Sequence, residues 1–117
     1  MAVNSQLSEK ELLNRVVHYE ARGEGVIGMA LVALTIFNRQ AIILANNNKG
    51  PGTFNAKGSS LKDILMGKNQ YQPVSEGKVN KNISAEAREN VAKALELARN
   101  PRALQSELNK AGLSNSE

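Results

Sequence analysis

Two carboxylates, Glu20 and Glu24, stand in the stretch YEARGEG at residues 19–25, between one helical pattern and a long apolar run, VIGMALVALTIF at 26–37. Leu12, Leu13, Val16 and Val17 repeat at three- and four-residue spacing, and the next turn of that stripe falls on Glu20. The spacing predicts a carboxyl at a core-facing position beside a glycine break. Desolvation there favours the neutral acid. A general acid needs that state to protonate a leaving oxygen, such as that of a glycosidic bond, near neutral pH. The same position also suits an architectural part, with Glu20 pairing to Arg22, Arg39 or a helix-end amide. For Glu24 three readings stand: a second catalytic carboxylate, a substrate ligand, or a charge at the start of the next helix.

Other polar residues are candidates by type. His18 shares a helix face with Glu11, Asn14 and Arg15, which predicts a solvent-exposed imidazole rather than an acid or base. Asn38 and Arg39 follow the apolar run and are either a buried polar clamp or an exposed turn. Gln70, Tyr71 and Gln72 form a polar and aromatic cluster in a loop. That composition binds sugars by hydrogen bonding and stacking, although loops also carry it without function. With no cysteine and one histidine, disulfides and a Cys/His zinc site are excluded, and no metal or cofactor is expected.

The elements that must position these groups are marked by caps. Ser8 and Glu11 form a capping box, with Leu7 and Leu12 placed as a hydrophobic staple, so a first helix starts there. Gly23 and Gly25 break it. A second helix runs from 26 to about 45, apolar all round in its first three turns, and is expected to be central with everything else packed around it. Residues 46–52, NNNKGPG, must end it. Ser60 and Asp63 cap a short helix over 61–66, and the polar stretch at 68–82 reads as an ordered loop or small hairpin. Ser84 caps a helix to about 99 with the stripe Val91, Ala94, Leu95 and Ala98. Asn100 and Pro101 open a last helix whose face is Leu104, Leu108 and Ala111. The tail at 113–117 is expected to fray.

Length and composition agree with this pattern. The 117 residues suit one domain, 1–117, and only 3% are aromatic against 41% apolar, so Leu, Ile, Val and Ala must build an all-α core. The apolar run at 26–37 is too short to cross a bilayer, and Asn38, Arg39 and Gln40 follow it, so no membrane span is expected. The N-terminal residues lack a basic-then-apolar secretion signal, which predicts synthesis in the cytoplasm. A net charge of +4 suits anionic surroundings such as nucleic acid or a bacterial envelope, and equally a surface kept basic for solubility.

VVHYEARGEGVIGMALVALTIFNRQ, at residues 16–40, resembles the opening block of the SleB/CwlJ-like cell wall hydrolases: E-A-R-G-E, a gap with glycine, an alanine- and valine-rich helix, then Asn-Arg. SSLKDILMGKNQYQPV, at 59–74, is similar to the family's next block, a short helix followed by a Gln-aromatic pair. Together the two blocks bear on roughly residues 12–74. The resemblance implies a small lysozyme-like helical domain that cuts peptidoglycan between N-acetylmuramic acid and N-acetylglucosamine. It assigns the catalytic acid to Glu20. Members usually continue into an aromatic-rich segment with a His-x-Phe-Tyr-like ending that is not found here, so the groove wall is expected to be shorter or built differently.

On this reading the enzyme is a monomer that works as a lytic transglycosylase or a muramidase. A single glutamic acid serves as general acid and base, Glu24, Gln70 and Tyr71 contact substrate, and the partner is the glycan strand rather than nucleic acid. A phage endolysin or virion-associated lysin, carried to the wall by other means, fits a chain with no visible signal. Two alternatives remain: a small basic helical nucleic-acid-binding module, and a non-catalytic glycan-binding or structural lysozyme-like domain. Helix two is too apolar to serve the first as a recognition helix.

Overall fold

The computed structural model describes residues 7–21, 23–45, 58–67 and 70–112. Arg22, the break expected at 46–52, part of the polar stretch at 68–69 and the tail at 113–117 lie outside the described residues. Among those described, the chain is all α: α1 (Glu9–Glu20), α2 (Gly25–Ala45), α3 (Leu61–Leu65), α4 (Gln72–Ser75), α5 (Ala85–Ala98) and α6 (Pro101–Lys110), with a 3-10 turn at Lys78–Asn80.

Local chemistry sets the helix starts. The first N–H groups of a helix have no intrahelical partner, and a side-chain oxygen just ahead of them fills the gap. Ser8 accepts from Glu11 N at 3.1 Å, Ser60 from Asp63 N at 3.0 Å, Ser84 from Ala87 N at 3.0 Å, and the Asn100 side chain from Ala103 N at 3.1 Å. Glu9 adds a cap across the fold, accepting the Lys62 amide at 3.0 Å and so joining the first turns of α1 and α3. At the far end of α1 the Ala21 amide donates to Val17 O at 3.2 Å. Gly23 then turns at φ +87°, a left-handed conformation that costs a residue with a Cβ.

α1 buries Leu12, Leu13, Val16 and Val17, α5 buries Val91, Ala94 and Ala98, and α2 buries Met29, Ala30, Ala33 and Ile36 between them. α2 packs most extensively on α5. Each fully buried Leu, Val or Ile contributes roughly 1.5–3 kcal/mol relative to leaving it in water. The central position of α2 holds, but the expectation that everything packs around it does not. Leu31, Thr35, Asn38 and Ile42 recur at helical spacing on an exposed face, with Leu31 at 42% and Ile42 at 45% exposure.

α2 also continues past Asn38, Arg39 and Gln40 through the apolar residues 41–45. Over an 18-residue window its mean hydropathy is 1.8, long and apolar enough by length and composition to cross a bilayer, where the run at 26–37 alone was too short. In this fold its Met29, Ala30, Ala33 and Ile36 face is core.

The stretch expected as a loop or hairpin forms α4 and the 3-10 turn. Pro73 sits in the first turn of α4, Gly77 turns at φ +73°, and Val79 is fully buried. Ala111, expected on the apolar face of α6, is exposed, since α6 ends at Lys110 and Ala111 is its C-cap.

Candidate functional site

Glu20 is the last residue of α1 and is more than a third exposed, so it stands at the surface and not in the core as the stripe predicted, and it lines neither described cavity. The reason lies in how the helix ends. Ala21, four residues beyond Val17, takes the buried place at 2% exposure, and Glu20 is left on the exposed flank of the helix end. The carboxyl is still partly desolvated. Burial pushes its pKa up from the ordinary value; the Arg39 guanidinium opposes that rise, and the Glu24 carboxylate adds to it.

Glu24 is exposed on the turn between α1 and α2, and its side chain lies along the first turn of α2. A Cβ on Gly28 would collide with the Glu24 Cβ and meet its Cγ at 3.6 Å and Cδ at 3.7 Å. That places a negative charge at the positive end of the long helix, and Gly28 is the residue that leaves room for it.

Arg39, half-buried on α2, sits with its guanidinium carbon 5.1 Å from the centroid of the Tyr71 ring. Of the two readings left open for Arg39, the structure selects the clamp. Tyr71 is only 4% exposed and packs in the main core cluster. A ring placed inward cannot serve as a sugar-stacking platform, which corrects the direct contact expected of it. Its flanking Gln70 and Gln72 led to a surface reading, but the chain turns the ring under α2 while Gln72 stays exposed and donates to Glu76 at 2.6 Å.

The Tyr71 hydroxyl is buried and donates to no acceptor among the described residues, and its polar neighbour is the Arg39 guanidinium. Burial pushes its pKa up, Arg39 works against that, and the Glu20 carboxylate adds to it. Glu20, Glu24, Arg39 and Tyr71 are therefore one electrostatic group drawn from a helix end, a turn, a mid-helix position and the entry to α4. Gln70 is half-buried beside it in sequence, tied through its amide to Gly67 O at 3.1 Å.

A cavity of about 260 Å³ opens against the same turn, lined by His18, Ala21, Gly23, Gly25, Met29 and Asn90 among others. His18 is half-buried there, edge-on to Tyr19 with ring centroids 4.8 Å apart, and not solvent-exposed as its helical face suggested. The start of α5 covers that side of α1.

The same cover explains Arg15, which the sequence placed outside and the structure buries at 9% exposure. Glu11 accepts from Arg15 Nε at 2.6 Å and from Arg88 Nη2 at 2.7 Å, and Arg15 Nη1 donates to Val79 O at 2.9 Å. Arg88 also donates to Asn82. This clamp fixes α1 against α5 and the preceding strap, and so fixes where Glu20 ends up. The Glu11 and Arg15 spacing of four residues showed half of it in the sequence.

Among the described residues no group of three His, Asp or Glu side chains converges to hold a metal ion. Comparison with protein-family models, characterised proteins and solved structures gives no match to this chain.

Proposed function

We propose that this chain is a SleB/CwlJ-like peptidoglycan-cleaving enzyme with Glu20 as its general acid and base. The observation that carries the reading is the setting of Glu20: the first carboxylate of E-A-R-G-E is solvent-accessible at the end of α1, where partial burial favours its protonated form and the Arg39 charge opposes that rise. A carboxyl in that setting can reach substrate, and burial favours the protonated form that a general acid needs.

In the reaction the Glu20 proton goes to the glycosidic oxygen as the bond from the muramic acid C1 breaks and positive charge builds on the ring. Arg39 stabilises the carboxylate left behind. In the transglycosylase version that carboxylate takes the proton of the muramic acid's own primary hydroxyl, whose oxygen closes on C1. Atoms balance with no water consumed, and one carboxylate suffices. In the muramidase version a water replaces that hydroxyl, and Glu24 or another polar residue has to orient it. Gln70 and Glu24 are the candidates for substrate contact, and the net charge of +4 favours residence on an anionic wall.

The test is digestion of purified peptidoglycan by the wild type and by Glu20→Gln, with mass spectrometry of the products. Cleavage lost in a folded Glu20→Gln variant supports the reading, and products one water lighter than hydrolysis products assign transglycosylation. An inert wild type that instead binds DNA in a salt-sensitive way replaces the enzyme with a basic nucleic-acid-binding module.

A further inference from the structure

One face of the apolar helix α2 is left to solvent along its whole length. Gly28, Leu31, Thr35, Asn38, Ile42 and Ala45 follow one another in alternating steps of three and four residues, which are the a and d positions of a heptad. All are exposed except Gly28, which is half-buried. The stripe carries no charge, and the one charged residue of α2, Arg39, leans over the Tyr71 ring. By kind, the side chains read the same from either end: small, large apolar, polar, polar, large apolar, small. A surface with that order is complementary to a copy of itself turned end for end, which is the requirement of a two-fold contact.

We propose that this face joins two copies of the chain, their α2 helices antiparallel about a two-fold axis that passes between Thr35 and Asn38. Leu31 of each copy then lies on Ile42 of the other, Thr35 on Asn38, and Gly28 meets Ala45 at either end. The Thr35 hydroxyl donates to Leu31 O at 3.1 Å, so its oxygen is still able to accept from the Asn38 amide of the second copy. A parallel pair brings the two Glu24 carboxylates and the two positive helix ends together, whereas the antiparallel pair sets each helix start against a helix end. A lipid surface fits less well, since Thr35 and Asn38 stand mid-stripe and would enter hydrocarbon without partners. Met29, Ala30, Ala33 and Ile36 stay in the core, so the contact forms between folded chains. From Gly28 to Ala45 the seam is about 26 Å long. A single helix pair of that length belongs to the small interface class, below about 1,200 Å² in total, so the dimer is reversible with a micromolar dissociation constant. The monomer expected from the sequence is then the dilute form. The inference is independent of the role given to Glu20.

The experiment is sedimentation equilibrium of the full chain over a range of concentrations, in the wild type, Leu31→Lys, Ile42→Glu and the double variant, with circular dichroism to check folding. Both positions are exposed, so the folded monomer tolerates either change. Each single variant puts a charge against an apolar side chain of the other copy and raises the dissociation constant by more than about tenfold. The double variant regains association, because the antiparallel seam sets each lysine on a glutamate, whereas a parallel seam sets like on like. A second measurement uses the absence of cysteine. Leu31→Cys mixed with Ile42→Cys forms a disulfide-linked pair on mild oxidation, faster than either variant alone, since two Leu31 positions stand about 16 Å apart along the axis. A wild type that stays monomeric to about 1 mM overturns the proposal. So does association untouched by both single variants, a double variant that is not rescued, or Leu31→Cys that links to itself as fast as to Ile42→Cys. Binding of a monomeric chain to phosphatidylcholine vesicles, lost in Leu31→Lys, assigns the face to lipid and likewise overturns it.

Discussion

Replacing Glu11 by Gln tests whether the clamp on α1 holds the site in place. The guanidinium of Arg88 chiefly, with Arg15 behind it and burial opposing, holds the Glu11 carboxyl down from 4.5 to about 2. At about 1.4 kcal/mol per unit that shift corresponds to a ceiling of roughly 3 kcal/mol. The Arg88 side chain is 36% exposed, against 21% for Glu11 and 11% for Arg15, so solvent screens much of its part. About 1–2 kcal/mol is the expected cost of Glu11→Gln at pH 7. The pKa is depressed in the folded state, so the clamp contributes fully above 4.5 and is lost as pH falls through the window from 4.5 to about 2. Urea denaturation of wild type and variant at pH 7, 5, 3.5 and 2.5 reads the difference. It should be largest at pH 7 and shrink steadily toward the acid end, while the other carboxylates, common to both proteins, cancel. A difference that is absent at pH 7, or constant down to pH 2.5, would refute the argument. Because α1 carries Glu20 at its end, the folded variant should also lose part of the proposed glycan cleavage at pH 7.

Three further outcomes follow from the same geometry. Ala33 is fully buried on the α2 face that packs into the core, so Ala33→Leu overfills it, at a cost of about 1–3 kcal/mol seen as a lower urea midpoint with unchanged slope. Ser84→Ala removes the cap of α5 and costs about 1 kcal/mol, and Ser84→Asp restores it, in the same measurement. On the proposed reading of Glu20 as general acid, the rate of glycan cleavage should fall as pH rises through the Glu20 pKa, which burial raises above the ordinary carboxylate value. A profile whose alkaline limb sits at or below that ordinary value removes Glu20 from the role.

The sequence by itself determined α1, α2, α3, α5 and α6, but not α4. Ser8, Ser60, Ser84 and Asn100 each announce a helix start by a local rule, a side-chain oxygen three residues before an amide it can reach, and all four make that bond. The apolar stripes of α1 and α5 identified their buried faces for the same reason, since a period of 3.6 residues is a property of the backbone alone. Glu20 was also singled out from its place on that stripe and from the E-A-R-G-E pattern. Only tertiary structure decided what covers each face. Arg15 and His18 lie on a face the periodicity marked as outer, yet α5 and the strap before it close over them, with partners more than sixty residues away in the case of Arg15. Tyr71 turns inward, Glu20 outward, and Leu31 and Ile42 stay bare on an apolar helix. Periodicity tells which residues share a face. Whether that face meets another helix, an arginine from far along the chain or water depends on contacts between distant segments, and those distances exist only once the chain has folded.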